Sequence, residues 1–322
     1  MRFIVYGAGA IGGVLGARLA QHGHEVVLIA RGPHLEAIQR QGLRLESPDG
    51  EETLQIPAVD DPTAIPPEPG DVVVLAVKSQ DTAGALDRLA VAAPPDTPVV
   101  CAQNGVDNER QALRRFANVY GAYEIFPASH LEPGVVRADS APVTGIMDIG
   151  RYPHGVDDLA RELAAVLSEA SFDATAVPDV MRWKYAKLLT NLNNVIEVLC
   201  EPAARKPVHV RAKAEAVACL AAAGIEAATA EEDAKRRGEL FARGASMQMR
   251  DGGSTWQSVS RATGSIETDY LNGEIVLLGR LHGVPTPVNA TLQRLGNALA
   301  RDRRPALALS EEELMRKVEA AV

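Results

Sequence analysis

Cysteine is scarce in this chain: three in 322 residues, Cys101, Cys200 and Cys219, far apart and never in a CxxC spacing. That excludes a disulfide-stapled scaffold and a zinc or dithiol motif, and the three read as reduced, buried apolar residues. A cationic excess is also missing. The formal net charge is −9 and the pI near 5.4, which argues against a nucleic-acid surface, because phosphate binding needs concentrated Lys and Arg. No uninterrupted apolar run approaches the roughly 18 residues of a membrane span, so no membrane partner is expected. Met1 to Tyr6 carries no basic region leading into an apolar signal stretch. The expectation is a cytoplasmic protein.

What is present is ordinary for a globular enzyme, with 46% hydrophobic and 23% charged residues, in a length that suits about two domains. The first half alternates continuous apolar runs, Phe3–Tyr6, Val26–Ala30, Val72–Val77 and Val99–Ala102, with helical stretches. Continuous runs suit strands buried on both faces, so the expected fold class is α/β: a Rossmann-like, doubly wound parallel sheet. Extended segments between Val135 and Arg151 and a helix over 156–170 close this part. Past Pro178 the texture turns helical, with helices expected over Val180–Cys200, Val208–Gly244 with breaks, Glu267–His282 and after Pro287. The expected division is therefore 1–178 for nucleotide binding and 179–322 for an all-helical substrate and catalytic domain.

The first strand runs into Gly7-Ala8-Gly9-Ala10-Ile11-Gly12, a GxGxxG between a buried strand and an amphipathic helix. Gly7 permits the tight turn, Gly9 lets backbone approach a pyrophosphate, and Gly12 lets the helix pack closely on the strand. The helix N-terminus then offers amides and partial positive charge to the phosphates. Gly13 and Gly16 make the stretch glycine-rich in general, so position is what raises it above chance. The second strand ends in Arg31, where a carboxylate would otherwise take a ribose 2′-hydroxyl. A guanidinium there binds a 2′-phosphate and favours NADP(H) over NAD; the alternative is a solvated loop cation. Two further strands deliver Lys78 and Asn104 to their carboxyl ends, where ligands sit in open α/β sheets. Asn104 can donate and accept, as a nicotinamide ribose or a substrate oxygen requires.

In the second half, Lys187, Asn191 and Asn194 share one helix face at spacings of four and three. Leu188, Leu192, Val195 and Leu199 supply the buried face. A face with one ammonium and two amides is either a substrate-contacting surface or a solvated stripe. Glu267 falls at an expected helix start, where a carboxylate suits the macrodipole, and Ser254 is an N-cap candidate for another.

Taken in order, the glycine fingerprint, VKSQD at Lys78, QNG at Asn104, the WKYAKLLTN helix and IETDYLNG resemble the ketopantoate reductase family over nearly the whole chain. The resemblance implies a Rossmann domain followed by a helical domain, with the active site between them, and NADPH-dependent reduction of 2-dehydropantoate to pantoate in pantothenate biosynthesis. It places the family's catalytic lysine on Lys187 rather than Lys184. Substrate-binding asparagines fall on Asn104 and Asn191, with Asn194 on the same face, the substrate-contacting glutamate on Glu267, and the carboxylate-binding hydroxyl on Ser254 or Thr255. The partner implied is a small 2-oxo acid, and no metal is required. The chain departs from the family around Gly252–Trp256, where a family asparagine is replaced by Gly252 or Gly253, and at Val195. Two other readings stay open: a related reductase of another small 2-oxo or 3-hydroxy acid, and a non-catalytic NADP(H)-binding sensor. Helices of the second half could also pair across a two-fold axis in a homodimer.

Overall fold

The computed structural model describes residues 1–242, 246–247, 252–307 and 309–320. Fourteen short strands are found among them: β1 (Arg2–Tyr6), β2 (Glu25–Ile29), β3 (Leu43–Ser47), β4 (Gly50–Leu54), β5 (Ala58–Val59), β6 (Asp71–Leu75), β7 (Val99–Cys101), β8 (Val119–Ile125), β9 (Ala128–Ser129), β10 (Val135–Ala138), β11 (Ser140–Ala141), β12 (Gly145–Arg151), β13 (Phe172–Asp173) and β14 (Ser246–Met247). Eight form one sheet in the order β13-β12-β8-β7-β6-β1-β2-β5, parallel except where β12 meets β8. β1 lies between β2 and β6, so the chain builds outward from it first one way and then the other. A ligand crevice forms at such a reversal.

The four apolar runs read from the sequence are β1, β2, β6 and β7, and their side chains alternate between two cores. Phe3, Val5, Val26, Leu28, Val72 and Val74 enter the core on one face, while Ile4, Tyr6, Ile29, Val73 and Leu75 enter the other. This two-sided burial is why the runs are continuous rather than alternating. β8 was not among the expected strands. Its Gly121 and Glu124 interrupt the apolar pattern, although Glu124 is itself buried. A smaller sheet, β4-β3-β10-β9, takes β10 from the extended segments expected between Val135 and Arg151, while β12 joins the large sheet.

The helices are α1 (Ala10–Gln21), α2 (Gly32–Gln41), α3 (Thr82–Ala92), α4 (Asn108–Leu113), α5 (Asp158–Glu169), α6 (Val180–Asn191), α7 (Asn193–Leu199), α8 (Pro202–Ala222), α9 (Ala230–Ala242), α10 (Ser254–Ser260), α11 (Asn272–His282), α12 (Pro287–Arg301) and α13 (Glu311–Glu319). Two expectations need correction. The helix expected over Val180–Cys200 breaks at Leu192 into α6 and α7. That expected over Glu267–His282 is a 3-10 turn, Glu267–Tyr270, followed by α11, with Leu271 at φ −114°, ψ −87° between them. The stretch Val208–Gly244, for which breaks were expected, divides into α8 and α9, and Gly244 lies outside the described residues.

Contacts divide the chain into two compact units, and the division is not a single cut at 178. Met1–Trp183 is joined by Thr229–Arg250 in one unit, and Lys184–Ala228 is joined by Asp251–Val322 in the other. The physical reason is charge. From α9, Arg236 donates to both oxygens of Asp148 at 2.9 and 2.7 Å and to Asp173 at 2.9 Å. Asp233 accepts from the Tyr123 hydroxyl, and Glu232 pairs with Arg182 at 2.7 Å. Burial pushes the Asp148 carboxyl up while Arg236 pulls it down. Burial alone would lower the Arg236 pKa, but its bonds to the two aspartates outweigh that and raise it.

In the second unit a buried polar chain fixes the helices. The Asn272 amide donates to the Leu192 carbonyl, at the α6–α7 break, and to Asn289 Oδ1 at 3.0 Å. Asn289 donates to the Ala212 carbonyl and to Glu215, whose carboxylate also accepts the backbone N–H groups of Val288 and Asn289. These bonds pair most of the buried polar groups with one another, the Asn272 side-chain carbonyl oxygen excepted, and specify how α7, α8, α11 and α12 meet.

Candidate active site

The glycine fingerprint is built by close packing at two positions and by open space at the third. Gly7 has φ +108°, and a Cβ there would stand 2.7 and 2.8 Å from the backbone of Val77 and Ala76. At Gly12 a Cβ would overlap the Gly7 carbonyl oxygen and lie 2.9 Å from Ala76 Cβ and Val5 Cγ1. Gly9, by contrast, has nothing within 4 Å of where a Cβ would be. It caps α1, whose first turn holds Ala10 and Ile11 and no acidic residue. Ala8 and Gly7 donate their N–H groups to the Ile29 carbonyl, tying the loop to the end of β2. The open space over Gly9, beside unpaired helix amides and no carboxylate, fits a dinucleotide pyrophosphate.

The loop has a further support that sequence reasoning missed. Gly134 N–H donates to His34 Nδ1 at 2.9 Å, which leaves Nε2 as the protonated nitrogen donating to the Ala8 carbonyl at 2.7 Å. The ring lies 4.1 Å from that of His130. A lone histidine in a helix carries no motif, so nothing in the sequence marked it.

Arg31 leaves β2 just before α2 with its side chain 84% exposed, and pairs with Asp81 at 3.1 Å. Lys78 and Asn104 follow β6 and β7, neighbouring strands of the sheet. Their loops are joined by a network in which Thr82 and Asn108 had not been singled out from the sequence. Gln103 donates to the Val77 carbonyl at 2.7 Å and to Thr82 Oγ1 at 2.8 Å; Thr82 donates to Asn108, and Asn108 and Ser79 both donate to the Asn104 carbonyl. Ser79, Gln103 and Asn108 are buried. The signal was partly visible, since Ser79 and Gln103 belong to the VKSQD and QNG segments.

In the second unit the structure places Lys187 and Asn191 on α6 and Asn194 on α7, with Asn191 buried and the other two half-buried. Lys184 is more deeply buried than Lys187. Glu267, 4% exposed, opens the 3-10 turn rather than an α-helix. A Cβ on Gly296 of α12 would collide with Val195 of α7 and reach Thr268 and Ile266 at 3.2 and 3.3 Å, so the absence of that side chain brings α7 and the Glu267 turn onto α12. Ser254 is not the cap of α10: Gly253 is, and Ser254 is the first helical residue, with Thr255 buried behind it. Gly253 N–H donates to Glu197 of α7 at 3.3 Å, and a Cβ on Gly253 would stand 2.5 Å from that carboxylate. Lys187, Asn191, Asn194, Ser254, Thr255 and Glu267 therefore all belong to one unit, in which α10 and α12 pack on α7 and the Glu267 turn packs on α11 and α12.

All three cysteines are buried thiols outside any disulfide. Among the described residues no helix is long and apolar enough to cross a membrane, and no three His, Cys, Asp or Glu side chains gather as a metal site.

Residues 3–154 match the family model described as ketopantoate reductase PanE/ApbA, and residues 179–300 match that of its C-terminal part. The chain is 31% identical to the 2-dehydropantoate 2-reductase of Archaeoglobus fulgidus over 306 residues, covering 91% of this chain and 96% of that one. The crystal structure of a PanE/ApbA family ketopantoate reductase from Ralstonia eutropha JMP134 superposes with a TM-score of 0.79 at 29% identity, over 94% of this chain and 99% of that one. A D-mandelate dehydrogenase solved with NADH and anilino(oxo)acetate shares the fold, with a TM-score of 0.79 at 23% identity and coverage of 94% and 99%. Family models that match both parts of the chain, together with a relative 31% identical across 91% of it, place it in one group: the chain belongs to the ketopantoate reductase PanE/ApbA family of oxidoreductases.

Proposed function

We propose that this chain reduces 2-dehydropantoate to pantoate with NADPH, using the first unit for the cofactor and the second for the substrate. The observation that carries the reading is the combination of an open glycine cradle followed by an exposed Arg31 with a half-buried lysine on the Asn191 face. Gly7 to Gly12 would hold the pyrophosphate, Arg31 the 2′-phosphate, and Lys78 and Asn104 the nicotinamide side. When bound, the reduced nicotinamide supplies the hydride. Lys187 stabilises the negative charge that grows on the substrate carbonyl oxygen and donates the proton there. Glu267 accepts a hydrogen bond from a substrate hydroxyl, Ser254 or Thr255 donates to the substrate carboxylate, and Asn191 and Asn194 fix the remaining oxygens. The test is NADPH oxidation, followed by absorbance, with 2-dehydropantoate beside a panel of other 2-oxo acids; a clear preference for another acid overturns the substrate assignment.

One observation favours that second reading, a related reductase with a different acid. Gly253 leaves its side-chain space to the Glu197 carboxylate, so negative charge stands beside the Ser254 end of α10. A carboxylate there disfavours the substrate's own carboxylate and favours a group that donates a hydrogen bond, so in this reading the Ser254 end takes a hydroxyl of a differently shaped acid.

A further inference from the structure

We propose that Asp81 sets the balance between NADPH and NADH by competing with the cofactor 2′-phosphate for Arg31. The inference rests on the assignment of Arg31 to that phosphate.

In dinucleotide-binding folds that prefer NAD, the carboxylate that takes the ribose 2′-hydroxyl comes from the end of the second strand itself. Here that strand ends in Arg31, and a carboxylate reaches the same place from a separate loop. Asp81 lies 50 residues further on, in the 3-10 turn Ser79–Asp81 after β6, and its Oδ2 is 3.1 Å from Arg31 Nη2. The Asp81 N–H donates to the Lys78 carbonyl at 2.8 Å, and Ser79 of the same turn is bonded to Asn104, so the backbone carrying the carboxylate is held. Asp81 stands at the cap position of α3, yet its side chain makes no capping bond. The carboxylate faces Arg31 instead. A second cation on α3, Arg88, is likewise near a carboxylate, Asp61, at 3.9 Å.

A phosphate monoester carries about −1.5 to −2 charges at neutral pH. To bind Arg31 it must displace Asp81 or sit beside it, and either loses Coulomb energy. The 2′-hydroxyl of NADH meets no such conflict, because it can donate to the Asp81 carboxylate. The two residues therefore act in opposite directions: Arg31 favours NADPH, and Asp81 restrains that preference.

The experiment is fluorescence titration of wild type, Asp81→Asn, Arg31→Ala and the double variant with NADPH and with NADH, at low and at high KCl. Asp81→Asn is expected to raise the NADPH-to-NADH affinity ratio about three- to fivefold, the scale of an exposed ion pair. The increase should shrink at high salt, where the Debye length falls to a few ångströms. An unchanged ratio in Asp81→Asn, with Arg31→Ala still lowering it, overturns the role of Asp81 alone. An unchanged ratio in Arg31→Ala removes the 2′-phosphate assignment and this inference with it.

Discussion

Replacing Gly9 and Gly12 separately by alanine should divide cofactor binding from folding. At Gly12 the added methyl meets a backbone carbonyl and two side-chain carbons of the sheet. None of these is the free end of a flexible chain, so α1 must move off β1. Overpacking of this kind costs about 1–3 kcal/mol, and alanine returns up to about 1 kcal/mol of helix propensity. A net loss of about 2 kcal/mol lowers the unfolding midpoint by roughly 4–8 °C for a unit of this size. At Gly9 the methyl meets nothing, and φ is −72°, so the only cost is a poorer cap, about 1 kcal/mol at most. Binding should respond the other way round. A methyl over Gly9 keeps phosphate oxygens from the helix amides, and one lost charge-assisted hydrogen bond of about 1.5–3 kcal/mol weakens NADPH roughly ten- to a hundredfold. Thermal unfolding without cofactor and fluorescence titration with NADPH measure the two effects; cofactor must be absent from the melts, because binding stabilises the folded state. Wild-type NADPH affinity in Gly9→Ala would refute the assignment of that open space to the pyrophosphate.

Lys187→Ala should lower turnover by about two orders of magnitude or more and leave the NADPH dissociation constant within about twofold, since a general acid acts chiefly in the transition state; steady-state kinetics beside titration would show a proportional loss in both if Lys187 served binding instead. Arg236→Met leaves Asp148 and Asp173 buried without their cation and should destabilise the first unit by about 3–5 kcal/mol in urea unfolding. Adding Asp148→Asn and Asp173→Asn should restore part of that loss. The Arg182 guanidinium and the Thr229 N–H hold the Glu232 carboxyl at about 2, below its ordinary 4.5. Because the folded-state value is the lower one, this stabilisation is present above about pH 4.5 and is lost as the pH falls towards 2. Glu232→Gln should flatten the fall in melting temperature across that interval, and an unchanged slope counts against the Arg182 pairing.

The parts legible in the sequence were those governed by near neighbours. Phe3–Tyr6 and Val72–Val77 announced buried parallel strands because both faces of each are covered, and Gly7, Gly9 and Gly12 announced the cradle because strand, turn and helix are consecutive in the chain. Lys187 and Asn191 could be placed on one face by helical period alone. What stayed hidden depends on partners remote in sequence. The return of α9 to the first unit rests on Arg236 meeting residues 63 and 88 positions away, and an Arg in a charged amphipathic helix reads the same whether it meets water or two buried aspartates. The break at Leu192 is stabilised by Asn272, 80 residues on, which takes the carbonyl there. Asp81 shows the same limit at the site itself. Read locally, it is an acidic residue at a helix start, favoured by the macrodipole; only the folded sheet brings it to Arg31. Cofactor choice therefore cannot be read from the end of the second strand alone. On the proposed assignment of Arg31 to the 2′-phosphate it depends also on what the loop after β6 presents there, and in this chain that loop presents the Asp81 carboxylate against the arginine.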